Sequence, residues 1–233
     1  MSLRNKIAII TGCSSGIGLA TTKYLLSKDC KVIGISRRIL NLRNKKFKHF
    51  KIDFESDENF SELINYLKKR NIKINFLLNN AGINLPNQFN KISKNDYNKV
   101  LKVNLHSPFF LTQKLIKYFR SNGSIVNISS FSAISGGPFS SHYAISKSAI
   151  DGLTKNLAIY FSKKKIRVNG ISPGLINTKL AKNAKKHPFF NRIILRRIGN
   201  TDEIAKVVHF LFSDHSSYIN GQTINVDGGM FLK

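Results

Sequence analysis

Short hydrophobic runs rich in β-branched residues alternate with longer amphipathic stretches along the whole chain. The strand candidates are Lys6–Thr11, Lys31–Ile35, Phe50–Ile52, Ile74–Asn79, Ser124–Ser129, Arg167–Ser172 and Thr223–Val226. Most are apolar at successive positions, as in parallel strands that are covered on both faces. Helical periodicity covers Ile17–Ser27, Asp57–Arg70, Lys94–Tyr118, His142–Ser162 and Thr201–Phe212.

This alternation predicts right-handed βαβ units and the α/β class: a single-domain Rossmann-like doubly wound sheet of about seven parallel strands flanked by helices. No internal repeat or Pro/Gly-rich linker interrupts the pattern, so we expect one domain over residues 1–233. Only Ser36 to His49 separate the second and third strand candidates. This is near the minimum of roughly 10–12 residues for a parallel crossover, which favours an irregular bridge over a full helix.

Composition narrows the class of protein. The chain has 233 residues, of which 42% are hydrophobic, enough to bury a sizeable core. No run approaches the roughly 18 apolar residues that a membrane span requires. Its only cysteines, Cys13 and Cys30, are too few for a disulfide-stapled secreted scaffold. We therefore expect a cytoplasmic protein without a membrane segment.

The net charge is strongly positive. Lys and Arg total 38 against 12 Asp and Glu, a formal charge of +26. Such a balance fits a nucleic-acid or acidic-protein partner. It equally fits codon bias in an AT-rich genome, since Lys outnumbers Arg 28 to 10 and the lysines are spread along the chain. The spread favours compositional drift, and a nucleic-acid partner is not expected.

The first strand runs into a glycine-rich loop and then a helix. Glycines there permit a tight turn and a close approach of backbone N–H groups to a ligand, while the helix N-terminus faces a pyrophosphate. The loop predicts dinucleotide binding. Its candidate contacts are Gly12, Ser14, Ser15, Gly16, Ile17 and Gly18.

The T-G-x-x-x-G-x-G spacing resembles that of the short-chain dehydrogenase/reductase family. The match continues through an N-N-A-G element at Asn79–Gly82, then Pro173-Gly174, and the closing strand at Asn225–Gly229. The resemblance implies nicotinamide-dependent oxidoreduction. It also implies cofactor contacts at Asp53, Asn80, Ala81, Gly82, Pro173, Gly174, Ile176 and Thr178.

Tyr143 and Lys147 are four residues apart in a predicted helix, so both project from one face. Carbonyl reduction needs a proton at the oxygen as hydride reaches the carbon, and a free tyrosine has a pKa of about 10. An adjacent ammonium lowers that pKa by favouring phenolate. We expect Tyr143 to donate the proton, and Lys147 to tune it and to bind the nicotinamide ribose; in the family both residues also contact the cofactor.

The resemblance adds two residues to the catalytic set. Ser130, 13 residues before Tyr143, would hold the substrate oxygen, with Ser129 as a neighbouring candidate. Asn104 would anchor a water beside the catalytic lysine, or alternatively act only as a helix-bending residue. The histidines and cysteines have no metal-ligand spacing, so no metal is expected. Cys13 is interpreted as a packing residue.

The end of the second strand bears on cofactor choice. An acidic residue there would accept hydrogen bonds from the ribose 2′-hydroxyl and repel a 2′-phosphate. This chain has Ser36 there, followed by Arg37 and Arg38, and a guanidinium can grip a phosphate. We predict NADPH as the preferred cofactor, with NAD as a possible second. The competing interpretation counts these arginines among the general excess of basic residues.

Within the family the chain most resembles 3-oxoacyl-[acyl-carrier-protein] reductases, on Arg196–Gly199, Asp202–Ala205 and Gly221–Thr223. The resemblance implies a homotetramer or homodimer. It also implies an acidic carrier protein docked on basic residues at the cleft mouth, with Arg120 and Lys163–Lys165 as candidates.

Two other functions stay open. One is a dehydrogenase of sugars, polyols or other small alcohols and ketones. The other is a non-catalytic dinucleotide- or polyanion-binding protein, which the intact Tyr143/Lys147 pair disfavours. The segment Thr178–Arg197 is expected to form the substrate lid. Aromatic residues suited either to an apolar substrate cleft or to the core are Phe131, Phe139, Phe189 and Phe190.

Overall fold

A computed structural model describes residues 3–55, 60–178 and 186–232. Within these ranges the chain forms a parallel sheet of seven strands in the order β3-β2-β1-β4-β5-β6-β7. The strands are β1 (Ile7–Thr11), β2 (Lys31–Ser36), β3 (Phe47–Lys51), β4 (Ile74–Asn79), β5 (Phe119–Ile128), β6 (Arg167–Pro173) and β7 (Thr223–Val226). The order reverses between β1 and β4, which confirms the predicted doubly wound sheet.

Helices cover both faces of the sheet. They are α1 (Gly16–Ser27), α2 (Ser61–Lys69), α3 (Lys94–Leu101), α4 (Ser107–Leu115), α5 (Ser132–Ser135), α6 (Ser141–Phe161) and α7 (Thr201–Phe212). Successive residues of β1 enter different cores: Ile9 packs with residues of α2, α4 and α6, and Ile10 with residues of α1 and α7. This division follows from side chains alternating across a strand, and it explains the continuous apolar runs. No helix in the described ranges is long and apolar enough to cross a membrane.

Several element boundaries differ from the sequence prediction. The bridge after β2 contains no helix, as expected, but β3 starts earlier, at Phe47. As the edge strand, β3 is mostly exposed or half-buried, which weakened its hydrophobic signal. β5 likewise starts earlier, at Phe119, and its register against β4 shifts between Phe119 and Ser124. The start of the predicted helix Asp57–Arg70 lies outside the described residues.

The predicted continuous helix Lys94–Tyr118 is wrong in its middle. A π-helical turn at Lys102–His106 separates α3 from α4, and a 3₁₀ turn follows at Ile116–Tyr118. Pro108 has no N–H to donate to the carbonyl of Asn104, so the α-helical pattern fails there. The Ser107 N–H donates to the Lys102 carbonyl, five residues back, and the Ser107 hydroxyl donates to the same oxygen at 2.9 Å.

Candidate active site

A cleft of about 430 Å³ opens at the carboxyl ends of β1, β4, β5 and β6. Parallel strands deliver their following loops to this edge, which explains how motifs spread over the chain converge. The predicted residues that line the cleft are Gly12, Ser15, Gly16, Ile17, Asn80, Ala81, Gly82, Ser130, Tyr143, Lys147, Pro173, Gly174, Ile176 and Thr178. The other predicted residues, Ser14, Gly18, Ser36, Arg37, Arg38, Asp53 and Asn104, do not line it.

The glycine-rich loop is packed too tightly for side chains at two positions. Gly12 has a φ of 68°, and a Cβ there would lie 2.7 Å from Asn80 Nδ2. A Cβ on Gly18 would overlap the Gly12 carbonyl oxygen. The bare backbone and the N-terminus of α1, at Gly16, therefore form a cradle that suits an anionic pyrophosphate.

Thr11 holds this loop against the N-N-A-G element. Its hydroxyl oxygen accepts hydrogen bonds from the backbone N–H groups of Asn80 at 2.9 Å and Ala81 at 3.0 Å. The Asn80 amide donates back to the Thr11 carbonyl at 2.8 Å. The clamp joins the ends of β1 and β4, the strands between which the order reverses. Sequence reasoning assigned no role to Thr11.

Tyr143 and Lys147 lie in the first turns of α6, and Ser130 follows β5. The Ser130 hydroxyl is close enough to Tyr143 to lower its pKa, and the Ser132 N–H donates to the Ser130 oxygen at 3.1 Å. The Lys147 ammonium lies 5.7 Å from the centre of the Tyr143 ring and donates to the Ile128 carbonyl at 2.8 Å. Ser129 instead points its hydroxyl at the Lys147 carbonyl. The geometry thus favours Ser130 over Ser129 as the partner of Tyr143.

Burial sets the proton affinities of this pair. Desolvation raises the pKa of Tyr143, and the Ser130 hydroxyl partly opposes the rise. Desolvation also lowers the pKa of Lys147 to about 8, against the opposing charge of Asp151. The expected lowering of the Tyr143 pKa by Lys147 is not seen in this structure, where desolvation has the largest effect on Tyr143 and also disfavours the charged form of the lysine.

Asn104 lies in the π-helical turn with 1% of its surface exposed. Its carbonyl oxygen accepts from the Ile83 N–H at 2.9 Å, and its amide donates to the Ile83 carbonyl at 3.0 Å. A Cβ on Gly82 would lie 3.3 Å from Asn104 Oδ1 and 3.6 Å from Lys147 Nζ. The asparagine therefore lies at the bend in the helix, with Gly82 near both it and Lys147, and its role in anchoring a water stays a prediction.

The Ser36 hydroxyl is engaged within the protein. It donates to the Arg38 carbonyl at 2.8 Å, which leaves it to accept from His49 Nε2 at 2.9 Å. The buried Cys13 sulfur lies 3.3 Å from the same oxygen, and burial raises the pKa of that thiol. This network shapes the turn after β2. The main effect of Ser36 on a ribose 2′-phosphate is therefore that this position carries no carboxylate to repel it.

The next residue, Arg37, forms an ion pair that the sequence did not indicate. Its Nη1 lies 3.0 Å from Glu55 Oε1. Asp53, predicted to address the adenine, accepts the Glu55 N–H at 3.0 Å and so orients the same loop. Charge composition alone gave no signal for Glu55, since strand register brings the two loops together.

The structure corrects the placement of the proposed docking residues. Arg120 begins β5 and Lys163–Lys165 precede β6, so both lie where the strands start, at the edge opposite the cleft. They do adjoin each other: Ser121 donates to the Lys164 carbonyl at 3.3 Å. The expectation that these residues surround the cleft mouth of their own chain is therefore wrong.

The aromatic residues divide between cleft and core. Phe131 and Phe139 line the cleft. Phe189 and Phe190 pack with Phe131 in a small apolar cluster. His187 also lines the cleft, and sequence reasoning did not single it out. Of the expected lid Thr178–Arg197, residues 179–185 lie outside the described ranges.

Comparisons with known proteins show which family this chain is similar to. A family model described as enoyl-(acyl carrier protein) reductase matches residues 12–231. The chain is similar to a 3-oxoacyl-[acyl-carrier-protein] reductase of Thermotoga maritima, with 36% identity covering 100% of both chains.

Solved structures with the same fold have varied substrates. A 4-hydroxyisoleucine dehydrogenase complexed with NADH superposes with a TM-score of 0.90 at 33% identity, over 97% of this chain and 98% of that one. The aldohexose dehydrogenase of Thermoplasma acidophilum superposes with a TM-score of 0.87 at 31% identity, over 98% and 94%.

Proposed function

Since the chain belongs to the short-chain dehydrogenase/reductase family of oxidoreductases, we propose that it is an NADPH-dependent reductase of 3-oxoacyl thioesters borne by an acyl carrier protein. Full-length similarity to 3-oxoacyl-[acyl-carrier-protein] reductases supports the proposal. The observation that carries it is that apolar walls line the cleft beyond the predicted cofactor and catalytic residues, with no carboxylate or guanidinium among the described lining residues.

That part of the cleft has polar side chains at Asn84, Ser129, Ser132, Ser140 and His187, but none of them is a carboxylate or a guanidinium. Its apolar walls include Pro86, Phe131, Pro138, Phe139 and Leu175. Among the described lining residues none is Asp, Glu or Arg. Burying a sugar or polyol costs binding free energy for each hydroxyl that the protein does not hydrogen-bond. An acyl thioester needs its oxygens bound and its chain surrounded by apolar surface, which this cleft provides.

The residues present fit a dinucleotide, because the glycines at the start of α1 carry no side chains and so let backbone N–H groups approach a pyrophosphate. When bound, the reduced nicotinamide supplies the hydride to the ketone carbon. Ser130 donates a hydrogen bond to the ketone oxygen and holds it beside Tyr143. The Tyr143 hydroxyl then transfers its proton to that oxygen, giving the alcohol. Lys147 holds the ribose and stabilises the resulting phenolate.

Cofactor choice follows from the turn after β2. The missing carboxylate at Ser36 and the guanidinium of Arg37 support preference for NADPH. NADH is the weaker alternative, since the structure complexed with NADH shares the fold.

The proposed assembly is a homotetramer. Apolar side chains stand exposed on two helices, with Phe109 at 42% and Phe110 at 40% on α4, and Ile159 at 77% and Tyr160 at 55% on α6. Exposed apolar surface of this kind marks interaction sites. Paired helices of two copies would cover it around a two-fold axis. Light scattering of the purified protein tests the assembly directly.

A turnover screen tests the substrate. The purified protein is assayed with NADPH against acetoacetyl thioesters and simple ketones, and with NADP⁺ against aldohexoses and polyols. We expect the highest kcat/KM for the acetoacetyl thioester. A preference for an aldohexose or polyol would instead establish the sugar-dehydrogenase alternative.

A further inference from the structure

His187 is an ionisable side chain of the cleft that the mechanism does not use. Among the described lining residues the ionisable groups are Tyr143, Lys147 and His187. The first two are assigned to proton transfer and cofactor binding. The third lines the cleft just after residues 179–185, in the segment that the sequence predicts to be the substrate lid.

A backbone hydrogen bond selects the tautomer of His187. The Phe189 N–H donates to His187 Nδ1 at 3.2 Å, which requires an unprotonated Nδ1. Desolvation lowers the pKa of the ring, which favours the neutral form. A neutral imidazole that accepts at Nδ1 carries its hydrogen on Nε2. No residue of the described ranges pairs with that Nε2–H, so the ring retains an uncommitted donor.

Aromatic packing fixes the ring beside the catalytic serine. The His187 ring lies edge-on to Phe131, with 5.6 Å between ring centres, and 5.4 Å from the Phe189 ring. Phe131 directly follows Ser130, and its N–H donates to the Pro173 carbonyl at 3.1 Å. The donor thus packs against the residue that follows Ser130, and that residue is anchored to the end of β6.

We propose that His187 Nε2–H binds the second carbonyl oxygen of the substrate, that of the thioester, and so determines specificity for 3-oxoacyl groups. This assignment rests on the proposed function. A 3-oxoacyl thioester carries carbonyl oxygens two carbons apart. Ser130 and Tyr143 hold the oxygen that is reduced, and the other would lose its hydration in an apolar cleft without a donor. A monoketone has no such oxygen.

Two substitutions distinguish the effect of the hydrogen-bond donor from that of the aromatic ring. His187→Phe keeps a ring against Phe131 and Phe189 but removes the donor. His187→Gln loses the ring and places an amide donor at similar reach. His215→Phe, an exposed histidine in the 3₁₀ turn after α7, is the matched control. Each variant is assayed with NADPH against acetoacetyl-N-acetylcysteamine and against a monoketone of similar size.

We expect His187→Phe to lose roughly tenfold or more in kcat/KM for the thioester, the usual scale for one lost hydrogen bond in a desolvated site. The monoketone rate should stay within about twofold, which also shows that the variant is folded. His187→Gln should recover most of the thioester activity, and His215→Phe should change neither rate. Parallel losses on both substrates, or no loss on the thioester, would overturn the assignment.

Binding gives a second readout. The dissociation constant of 3-hydroxybutyryl-N-acetylcysteamine for the NADP⁺ complex should rise about tenfold in His187→Phe and less in His187→Gln. If the unmodified enzyme reduces the thioester and His187→Phe matches it in rate and binding, only the role of His187 fails. If the unmodified enzyme rejects the thioester and oxidises an aldohexose, the proposed function fails as well.

Discussion

The guanidinium of Arg37 lies 3.0 Å from the carboxylate of Glu55, with both side chains open to solvent on one side. Arg37 is also the residue expected to grip the 2′-phosphate of NADPH. A bound phosphate would therefore meet an arginine that already has an anionic partner and would lie near that partner's negative charge. Glu55 should therefore weaken the preference for NADPH over NADH that Arg37 creates.

Removing the carboxylate tests this competition. We expect Glu55→Gln to lower the dissociation constant for NADPH about two- to fivefold, the modest scale of a solvent-screened ion pair. NADH binding should change little, because it lacks the phosphate. Titrations of nucleotide fluorescence at low and high salt measure both constants. Equal tightening of NADH and NADPH would show that Glu55 acts on the adenine or the fold instead.

Reversing the charge of the arginine tests its role directly. The unmodified enzyme should show at least tenfold higher kcat/KM with NADPH than with NADH, a difference of about 1.4 kcal/mol or more. Arg37→Asp should narrow or reverse that ratio, since a carboxylate repels phosphate and accepts from a ribose hydroxyl. Arg43→Asp, an exposed arginine in the same crossover, serves as the control. An NADH preference in the unmodified protein would assign Arg37 to the general basic excess.

Most of the fold, and the placing of Tyr143 and Lys147 together at the cleft, could be predicted from the sequence, because both depend on local spacing. Tyr143 and Lys147 share a helix face whatever the tertiary structure. The glycine-rich loop after β1 can likewise be recognised from the strand that precedes it and the helix that follows it. Buried parallel strands have continuous apolar runs, so their positions along the chain could be predicted. The edge strand β3 has a weaker apolar signal, and its predicted range was too short.

Features that depend on tertiary neighbours were not predictable. Glu55 meets Arg37 only because β2 and β3 pair in one particular register. The donor on His187 depends on a backbone N–H two residues later, in an irregular segment without a periodic signal. The position of Arg120 was misjudged for a related reason: a strand carries the chain from one edge of the sheet to the other, and proximity to Ser130 in sequence conceals that distance.

Tyr143→Phe tests the proton donor. It should reduce kcat by roughly 10²–10⁴, the usual contribution of a positioned acid, while NADPH binding persists. The ring remains, so packing beside Ser130 should be preserved. Steady-state rates with acetoacetyl thioester and nucleotide titration are compared with those of Tyr218→Phe, whose side chain is fully exposed. A near-normal kcat in Tyr143→Phe would exclude this residue as the acid.

Lys147 should make the protein less stable at neutral pH. Its side chain is 4% exposed, and its pKa is about 8 in the folded protein against an ordinary 10.5. Below pH 8 the folded state must hold a desolvated ammonium, so Lys147→Met should raise the free energy of unfolding at pH 7 by roughly 2–3 kcal/mol.

The difference in the free energy of unfolding between Lys147→Met and the unmodified protein should depend on pH in a defined direction. Above pH 8 the folded protein releases the Lys147 proton while the unfolded chain keeps it up to about 10.5, so the unmodified protein gains stability as pH rises. The difference from Lys147→Met should therefore shrink between these values. Urea unfolding of both proteins at pH 7, 8.5 and 10 measures it. A constant or widening gap would mean that Lys147 is not held as a desolvated ammonium.

The basic edge formed by Arg120 and Lys163–Lys165 bears on how a carrier protein would dock. The ten residues of β5 span about 30 Å, so this edge is remote from the cleft of its own chain. A carrier bound there would present its substrate to the cleft of a neighbouring copy, consistent with the proposed assembly. Surface charges act mainly on encounter and are screened over roughly 8 Å at physiological salt.

The two forms of substrate therefore should respond differently. With a carrier-bound acetoacetyl group, KM should rise with salt, and Arg120→Glu or Lys164→Glu should raise it further. With acetoacetyl-N-acetylcysteamine the same substitutions should have little effect, because that substrate bears no charge to steer. Lys45→Glu, on the crossover before β3, controls for the change in net charge. Equal responses with both substrates would leave the charge of +26 as a property of composition and remove the basic edge as a docking surface.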